Sequence, residues 1–154
     1  MRVLKNKKIF SVLLAMVMIF SMSINAFAAT ASVTTAKSST KMSVYVPSGS
    51  YAFSNSVNVR FTSPAGANAS SITVSAPLSS HSGNPVVIQY FKVTAPSGNQ
   101  YIATVATGNS STISINPTES LVGTWSVQAY CYCPSGMYSY GSSTYYQVSI
   151  KATY

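Results

Sequence analysis

The side chains able to do covalent or acid–base chemistry in this chain are few: Cys131, Cys133, the lone His81, and Glu119, which is the whole Asp plus Glu content of 154 residues. One carboxylate and one imidazole cannot build a glycosidase carboxylate pair, a Ser-His-Asp triad or an acidic Ca²⁺ cage, so these classes fall by count alone. His81 lies in Ser79-Ser80-His81-Ser82-Gly83-Asn84, a stretch that reads as a solvated polar loop, and no nucleophile elbow precedes a helix near it. The sequence therefore predicts no enzyme and calls for no metal and no cofactor.

Cys131 and Cys133 are the sharpest pair. At positions i and i+2 of a strand they share a face, with Cα atoms ~6.5 to 7 Å apart, at or past the upper edge for an unstrained disulfide. A bend before Pro134 would close them into a labile bridge. The alternative is two small residues of a core, reduced or bridged. A thioredoxin-like site places two residues between its cysteines, and two sulfurs with one distant histidine leave a zinc tetrahedron incomplete.

Tyrosine is the commoner resource, with 11 in the chain. Tyr130, Tyr132, Tyr138, Tyr140, Tyr145 and Tyr146 crowd the stretch from 130 to 146, interleaved with Ser and Gly. Such composition resembles antibody paratopes, where Tyr offers large contact area at little cost in rotamer entropy, and aromatic faces also stack on sugar rings. Strand alternation sends Tyr130, Tyr132 and Tyr145 outward and leaves Met137, Tyr138 and Tyr140 in the connecting loop. These six are the ligand-binding candidates. The competing explanation is that Tyr has high β-propensity and pairs across strands.

The elements that must position these residues begin after an address. Arg2, Lys5, Lys7 and Lys8, the apolar run Ile9 to Phe20 and Ala26-Phe27-Ala28 predict a signal peptide, residues 1–28. About 12 apolar residues span only ~18 Å of helix, short of a ~30 Å hydrocarbon core, so a membrane anchor is disfavoured. The expected product is secreted, extracellular or loosely cell-wall associated, with no membrane insertion after cleavage. It keeps Lys37, Lys41, Arg60, Lys92 and Lys151 against Glu119. These cations are scattered along the sequence, which argues against nucleic acid as a partner and leaves a mild attraction to anionic cell-wall polymers.

Residues 29–41, nearly all Ala, Ser, Thr and Lys, read as a flexible leader. Residues 42–154 alternate with period two and are punctuated by Pro47-Ser-Gly49, Pro64-Ala-Gly66, Pro96-Ser-Gly98-Asn99 and Pro134-Ser-Gly136. Strands are expected over Ser43–Pro47, Val57–Thr62, Ser71–Ala76, Val86–Ala95, Gln100–Ala106, Thr112–Asn116, Thr124–Cys133 and Thr144–Thr153. Val86-Val87-Ile88 is apolar on both sides, which suggests a central strand. About seven or eight short antiparallel strands with frequent turns predict an all-β, two-sheet sandwich. Trp125 should lie inside with Val127, near Val93, Ile113, Val148 and Ile150.

Gly123-Thr124-Trp125-Ser126-Val127-Gln128-Ala129 resembles the next-to-last strand of immunoglobulin-like and fibronectin type III-like domains, and Tyr90-Phe91-Lys92-Val93-Thr94 with Pro96-Ser97-Gly98 resembles their third strand and its hairpin. Both cysteines on one strand preclude the antibody-type inter-sheet disulfide, which moves the resemblance toward modules of secreted bacterial surface proteins. It implies an immunoglobulin-like sandwich at the cell surface serving adhesion, spacing or carbohydrate binding, although a fold does not fix a function. Two functions follow as expectations. One is a non-catalytic module that recognises a cell-wall glycan or host surface polymer through a Tyr-rich hairpin of the last two strands. The other is a structural protein, self-associating into an extracellular fibre or matrix layer through sheet edges, with Thr144–Thr153 as a pairing edge.

Overall fold

In Val57-Asn58-Val59-Arg60-Phe61 and Trp125-Ser126-Val127-Gln128-Ala129 apolar residues recur every second position, and in both segments those residues are buried while their neighbours meet solvent. The same rule organises a computed structural model that describes residues 31–154 apart from 84–85, 107, 117 and 136–141. The expected signal peptide, residues 1–28, lies outside the described residues.

The described chain is all-β, with twelve strands: β1 Val33–Lys37, β2 Met42–Val46, β3 Tyr51–Phe53, β4 Val57–Phe61, β5 Ser71–Ser75, β6 Leu78–Ser82, β7 Val87–Thr94, β8 Gln100–Thr104, β9 Ser110–Ser114, β10 Gly123–Tyr132, β11 Ser142–Tyr146 and β12 Ser149–Thr153. They pair antiparallel in three sheets: β1-β12-β5-β9, β3-β10-β7-β8 with β4 also on β10, and β2-β11-β6. No helix among the described residues is long and apolar enough to cross a membrane. The expected seven or eight strands in two sheets are thus too few, and the causes are local.

The leader is not loose along its whole length. Val33 to Lys37 form β1 and pair in register with β12 from Thr153 to Ser149. Beyond the strand ends the ladder continues, with Ser32 N donating to Tyr154 O at 2.9 Å and Tyr154 N to Ser32 O at 3.0 Å. Composition hides this strand because it adds little to the core: none of its five residues is fully buried, and Ala36 is only half-buried against the core. β6 is hidden for the same reason, since Leu78-Ser79-Ser80-His81-Ser82 is exposed at every position. His81 therefore sits on a strand, not in a loop, with Nδ1 2.7 Å from Gly83 O.

The expected strand Thr144–Thr153 is two strands in two sheets. The chain passes from one sheet to the other at Gln147 and Val148, where Gln147 N donates to Pro77 O, Gln147 Nε2 to Ser38 O and Ser38 N to Val148 O. β12 then lies between β1 and β5, so it is not the open edge its place in the sequence suggested. Nor do the last strands form a hairpin with β10, which pairs instead with β3, β4 and β7.

β10 organises the five-stranded sheet. Its ten residues offer one edge to β7 and share the other between β4, along Gly123–Val127, and β3, along Tyr130–Tyr132. Between β3 and β4 the chain steps off the ladder, yet Ser54 keeps it tied: Ser54 N donates to Ala129 O, Ala129 N to Ser54 Oγ, and Gln128 Nε2 to Ser54 O. On the far side β7 pairs with both β10 and β8 and is central. Its apolar start resolves into alternation, with Val86 and Ile88 buried and Val87 exposed.

One core cluster draws on all three sheets: Met42 and Tyr146 from the three-stranded sheet, Ile72, Val74 and Ile150 from the four-stranded one, and Val59, Phe91, Val93, Trp125 and Val127 from the five-stranded one. Val148 joins it, while Ile113 is half-buried against it. Trp125 is fully enclosed, and its indole Nε1 donates to Leu121 O at 3.0 Å, which meets the one polar demand a buried indole makes. At the start of β10, Gly123 has φ +139, and a Cβ there would stand 2.7 Å from Pro96 Cβ, so the β10 entrance requires glycine.

Candidate functional site

Because Trp125, Val127, Ala129 and Cys131 point inward, alternation sends Ser126, Gln128, Tyr130 and Tyr132 to the outer face of the five-stranded sheet. Register then decides what stands beside them. Tyr130 lies opposite Phe53 on β3 and Tyr90 on β7, and Tyr132 lies opposite Tyr51 and Val87. A bulge between Tyr130 and Cys131 skips Gln89 and keeps the two rows aligned.

The result is a contiguous patch of five rings. Tyr51 stacks on Tyr130 at 5.5 Å between centroids and tilts against Tyr132 at 4.6 Å; Phe53 meets Tyr130 at 4.8 Å and Tyr90 edge-on at 6.2 Å; Tyr90 stacks on Tyr130 at 5.0 Å. Tyr51 and Phe53 remain 54% and 48% exposed, while Tyr90, Tyr130 and Tyr132 are half-buried among their neighbours, so the patch is braced from the side and most open along β3. Such lateral contacts lower the entropy left to lose when a ligand lands. The Lys92 ammonium hangs over the Phe53 ring, 5.9 Å from its centroid. On the adjoining column, Ile102 of β8 is 58% exposed opposite Lys92.

Of the residues expected to bind, Tyr130 and Tyr132 lie in this patch. Tyr145 does not: it projects from β11 in the three-stranded sheet, opposite Ser43 and Ser80. Met137, Tyr138 and Tyr140 lie outside the described residues. Tyr51, Phe53 and Tyr90 were not singled out from the sequence. Their signal is faint, since Tyr51-Ala52-Phe53 is an isolated alternating triplet after a turn, and only pairing register places it against Tyr130.

The cysteines are both buried and both free thiols. The bridge that a bend before Pro134 would allow is not formed, because β10 stays extended through Tyr132, paired to Tyr51 on one side and Val87 on the other, and Cys133 N still donates to Ser50 O. Burial pushes the Cys131 thiol up to about 12, which disables it as a nucleophile. Tyr146 is enclosed beside it. Its hydroxyl donates to Val86 O at 2.8 Å, and burial, with the neighbouring Cys131 adding to it, raises its pKa and so disfavours its ionisation.

The one carboxylate is fully occupied. Glu119 is buried and accepts three hydrogen bonds, from Asn99 Nδ2 to Oε1 at 2.6 Å, Tyr101 OH to Oε1 at 2.7 Å and Ser97 Oγ to Oε2 at 2.7 Å. The Asn99 bond does most to hold its carboxyl below the ordinary range; burial opposes this, and the Ser97 and Tyr101 bonds add to the lowering. Ser97, Asn99 and Tyr101 alternate along the β7–β8 hairpin, so one turn supplies all three donors. No His, Cys, Asp or Glu cluster of three exists among the described residues.

Against known proteins, no family model matches the chain and no curated protein matches it. Among solved structures it is similar to FlhE, at 12% identity and a TM-score of 0.44, over 79% of this chain and 96% of that one.

Proposed function

We propose that this chain is a secreted, non-catalytic binding module that holds an extracellular glycan or surface polymer on the outer face of its five-stranded sheet. One observation carries the reading: five aromatic rings from three adjacent strands lie in mutual contact on a sheet surface, with Tyr51 and Phe53 about half exposed. The ring pairs brace the sheet, but the ring surface left open at Tyr51 and Phe53 adds nothing to a monomer, and contiguous exposed apolar surface ordinarily marks a binding site. Sugar rings present flat C–H faces that pack on exposed aromatic surface, here that of Tyr51 and Phe53, and the phenol hydroxyls supply the hydrogen bonds that fix orientation. The platform replaces the last-two-strand hairpin as the site. It uses Tyr130 and Tyr132 together with Tyr51, Phe53 and Tyr90.

The immunoglobulin-like grouping belongs to the same reading, with the five-stranded and four-stranded sheets as its two layers about the shared core. Adhesion at the cell surface is the role such a module would serve. A glycan array probed with the full chain and with a Tyr51→Ala/Tyr130→Ala double variant tests the site. The expected result is binding to a subset of glycans that the variant loses while it remains folded at the assay temperature, with a lowered melting temperature from the lost ring pairs. Unchanged binding in the folded variant overturns the assignment.

A further inference from the structure

The same face carries charge of one sign. Lys92 and Gln128 are partners across β7 and β10, Thr94 faces Ser126, and on the other flank of β10 Asn58 faces Ser126 and Arg60 faces Thr124. Residues directly opposite in an antiparallel pair share a face, so the side of the sheet that holds the five rings also holds Lys92 beside them and Arg60 beyond. Gln128 and Thr124 are four residues apart on β10, which puts the two cationic rows about 13 Å from each other. Scattered along the sequence, these two residues are gathered by register alone.

Nothing on the protein offsets them. The sole acidic side chain, Glu119, is buried and saturated by Ser97, Asn99 and Tyr101, so no carboxylate side chain reaches this face. The Lys92 ammonium sits at the edge of the platform, over Phe53, rather than turned away into solvent. A sugar ring packed on the exposed surface of Tyr51 and Phe53 would bring a substituent on its rim to that ammonium. For a neutral sugar the ammonium is merely desolvated there, which costs free energy; for a sugar bearing an anionic group it gains a charge-assisted hydrogen bond.

We infer that the ligand is an acidic polysaccharide, lying across the five-ring patch and packed on the exposed Tyr51 and Phe53, with its ring carboxylates met first by Lys92 and then by Arg60. This rests on the glycan reading above and adds the charge of the ligand to it.

The test compares two polymers with one backbone, polygalacturonate and its full methyl ester, in affinity electrophoresis and calorimetry with the full chain. Variants are Lys92→Gln, Arg60→Gln, both together, and Tyr51→Ala/Tyr130→Ala, each checked to be folded at the assay temperature. Polygalacturonate should bind at least tenfold more tightly than the ester and weaken with added salt. Each Gln substitution should lower affinity for the charged polymer about three- to tenfold and leave the ester unaffected. Equal affinity for both polymers, or no effect of Lys92→Gln, overturns the acidic ligand while the glycan reading stands. Binding of polyphosphate, which has no sugar ring, as tightly as polygalacturonate and independently of Tyr51 and Tyr130 overturns both. So does the absence of polymer binding with a dimer in light scattering that Tyr51→Ala dissolves, since a second copy would then cover the face.

Discussion

The Tyr101 hydroxyl donates to Glu119 Oε1 at 2.7 Å, and the ionisation of each partner is displaced in the sense that this bond requires. The carboxyl is held low and the phenol is raised, the Glu119 bond being the largest cause of the latter with burial second. A single contact thus ties the β7–β8 hairpin to the segment before β10 and marks both ends of a pH window.

On the acid side the folded Glu119 carboxyl lies below its ordinary value of 4.5. Its contribution is therefore complete above that value and disappears as pH falls through the lower, folded one. Thermal melts from pH 7 to pH 2 should show this loss in the native chain and a flatter curve in Glu119→Gln, which starts less stable at neutral pH by about 1 to 3 kcal/mol because three donors lose a charged acceptor. Identical pH profiles would sink the argument.

On the alkaline side the raised Tyr101 phenol contributes stability that is complete below its ordinary value of 10.0 and is lost as pH rises through the folded value. Cys131 and Tyr146 are raised as well, so the native profile falls for three reasons. Tyr101→Phe should remove only one share of that fall, visible as a shallower slope above pH 10. An unchanged slope would mean that the Tyr101 bond to Glu119 contributes nothing.

Trp125 and Tyr132 sit on opposite faces of β10, one enclosed and one half-buried. Trp125→Ala should cost ~3 to 5 kcal/mol, whereas Tyr132→Ala should cost about 1 kcal/mol or less, chiefly its contact with Tyr51. Urea midpoints measure both. Intrinsic fluorescence gives an independent check, since emission near that of free indole with ready iodide quenching would place Trp125 in water.

Gly123→Ala combines a φ of +139 with a Cβ 2.7 Å from that of Pro96, and should destabilise by about 1 to 3 kcal/mol. Adding Pro96→Gly relieves the clash but not the backbone strain. The double variant should therefore recover part of the loss, and strict additivity in the cycle would show that the close approach is harmless.

Neither cysteine should react with a colourless disulfide reagent at pH 8 in the folded chain, and two equivalents should appear on denaturation. Fast labelling of either thiol under native conditions would contradict their burial.

Much of the architecture was legible from alternation. β4, β5, β7 and β10 fall within a residue or two of the expected strands, and the inward phase of Trp125, Val127, Ala129 and Cys131 follows from period two alone. Strands that bury no side chain fully left no such mark, which is why β1, β3 and β6 were missed. Splitting β11 from β12 depends on Gln147 binding Pro77 O and Ser38 O, contacts distant in sequence. The site was half legible for a related reason. Tyr130 and Tyr132 announce an outer face, but which strands flank them is a matter of register, and Tyr51, Phe53, Tyr90, Lys92 and Arg60 reach that face only through it.

The continuation of the β1–β12 ladder to Ser32 and Tyr154 has a mechanical meaning. The two strands run in opposite directions, so these residues, at opposite ends of the described chain, meet at the same corner of the four-stranded sheet. Tension applied between them loads the rungs one after another, as in opening a zip, rather than all at once in shear. A tether through both points would peel β1 at low force and leave the aromatic platform on the other sheet intact.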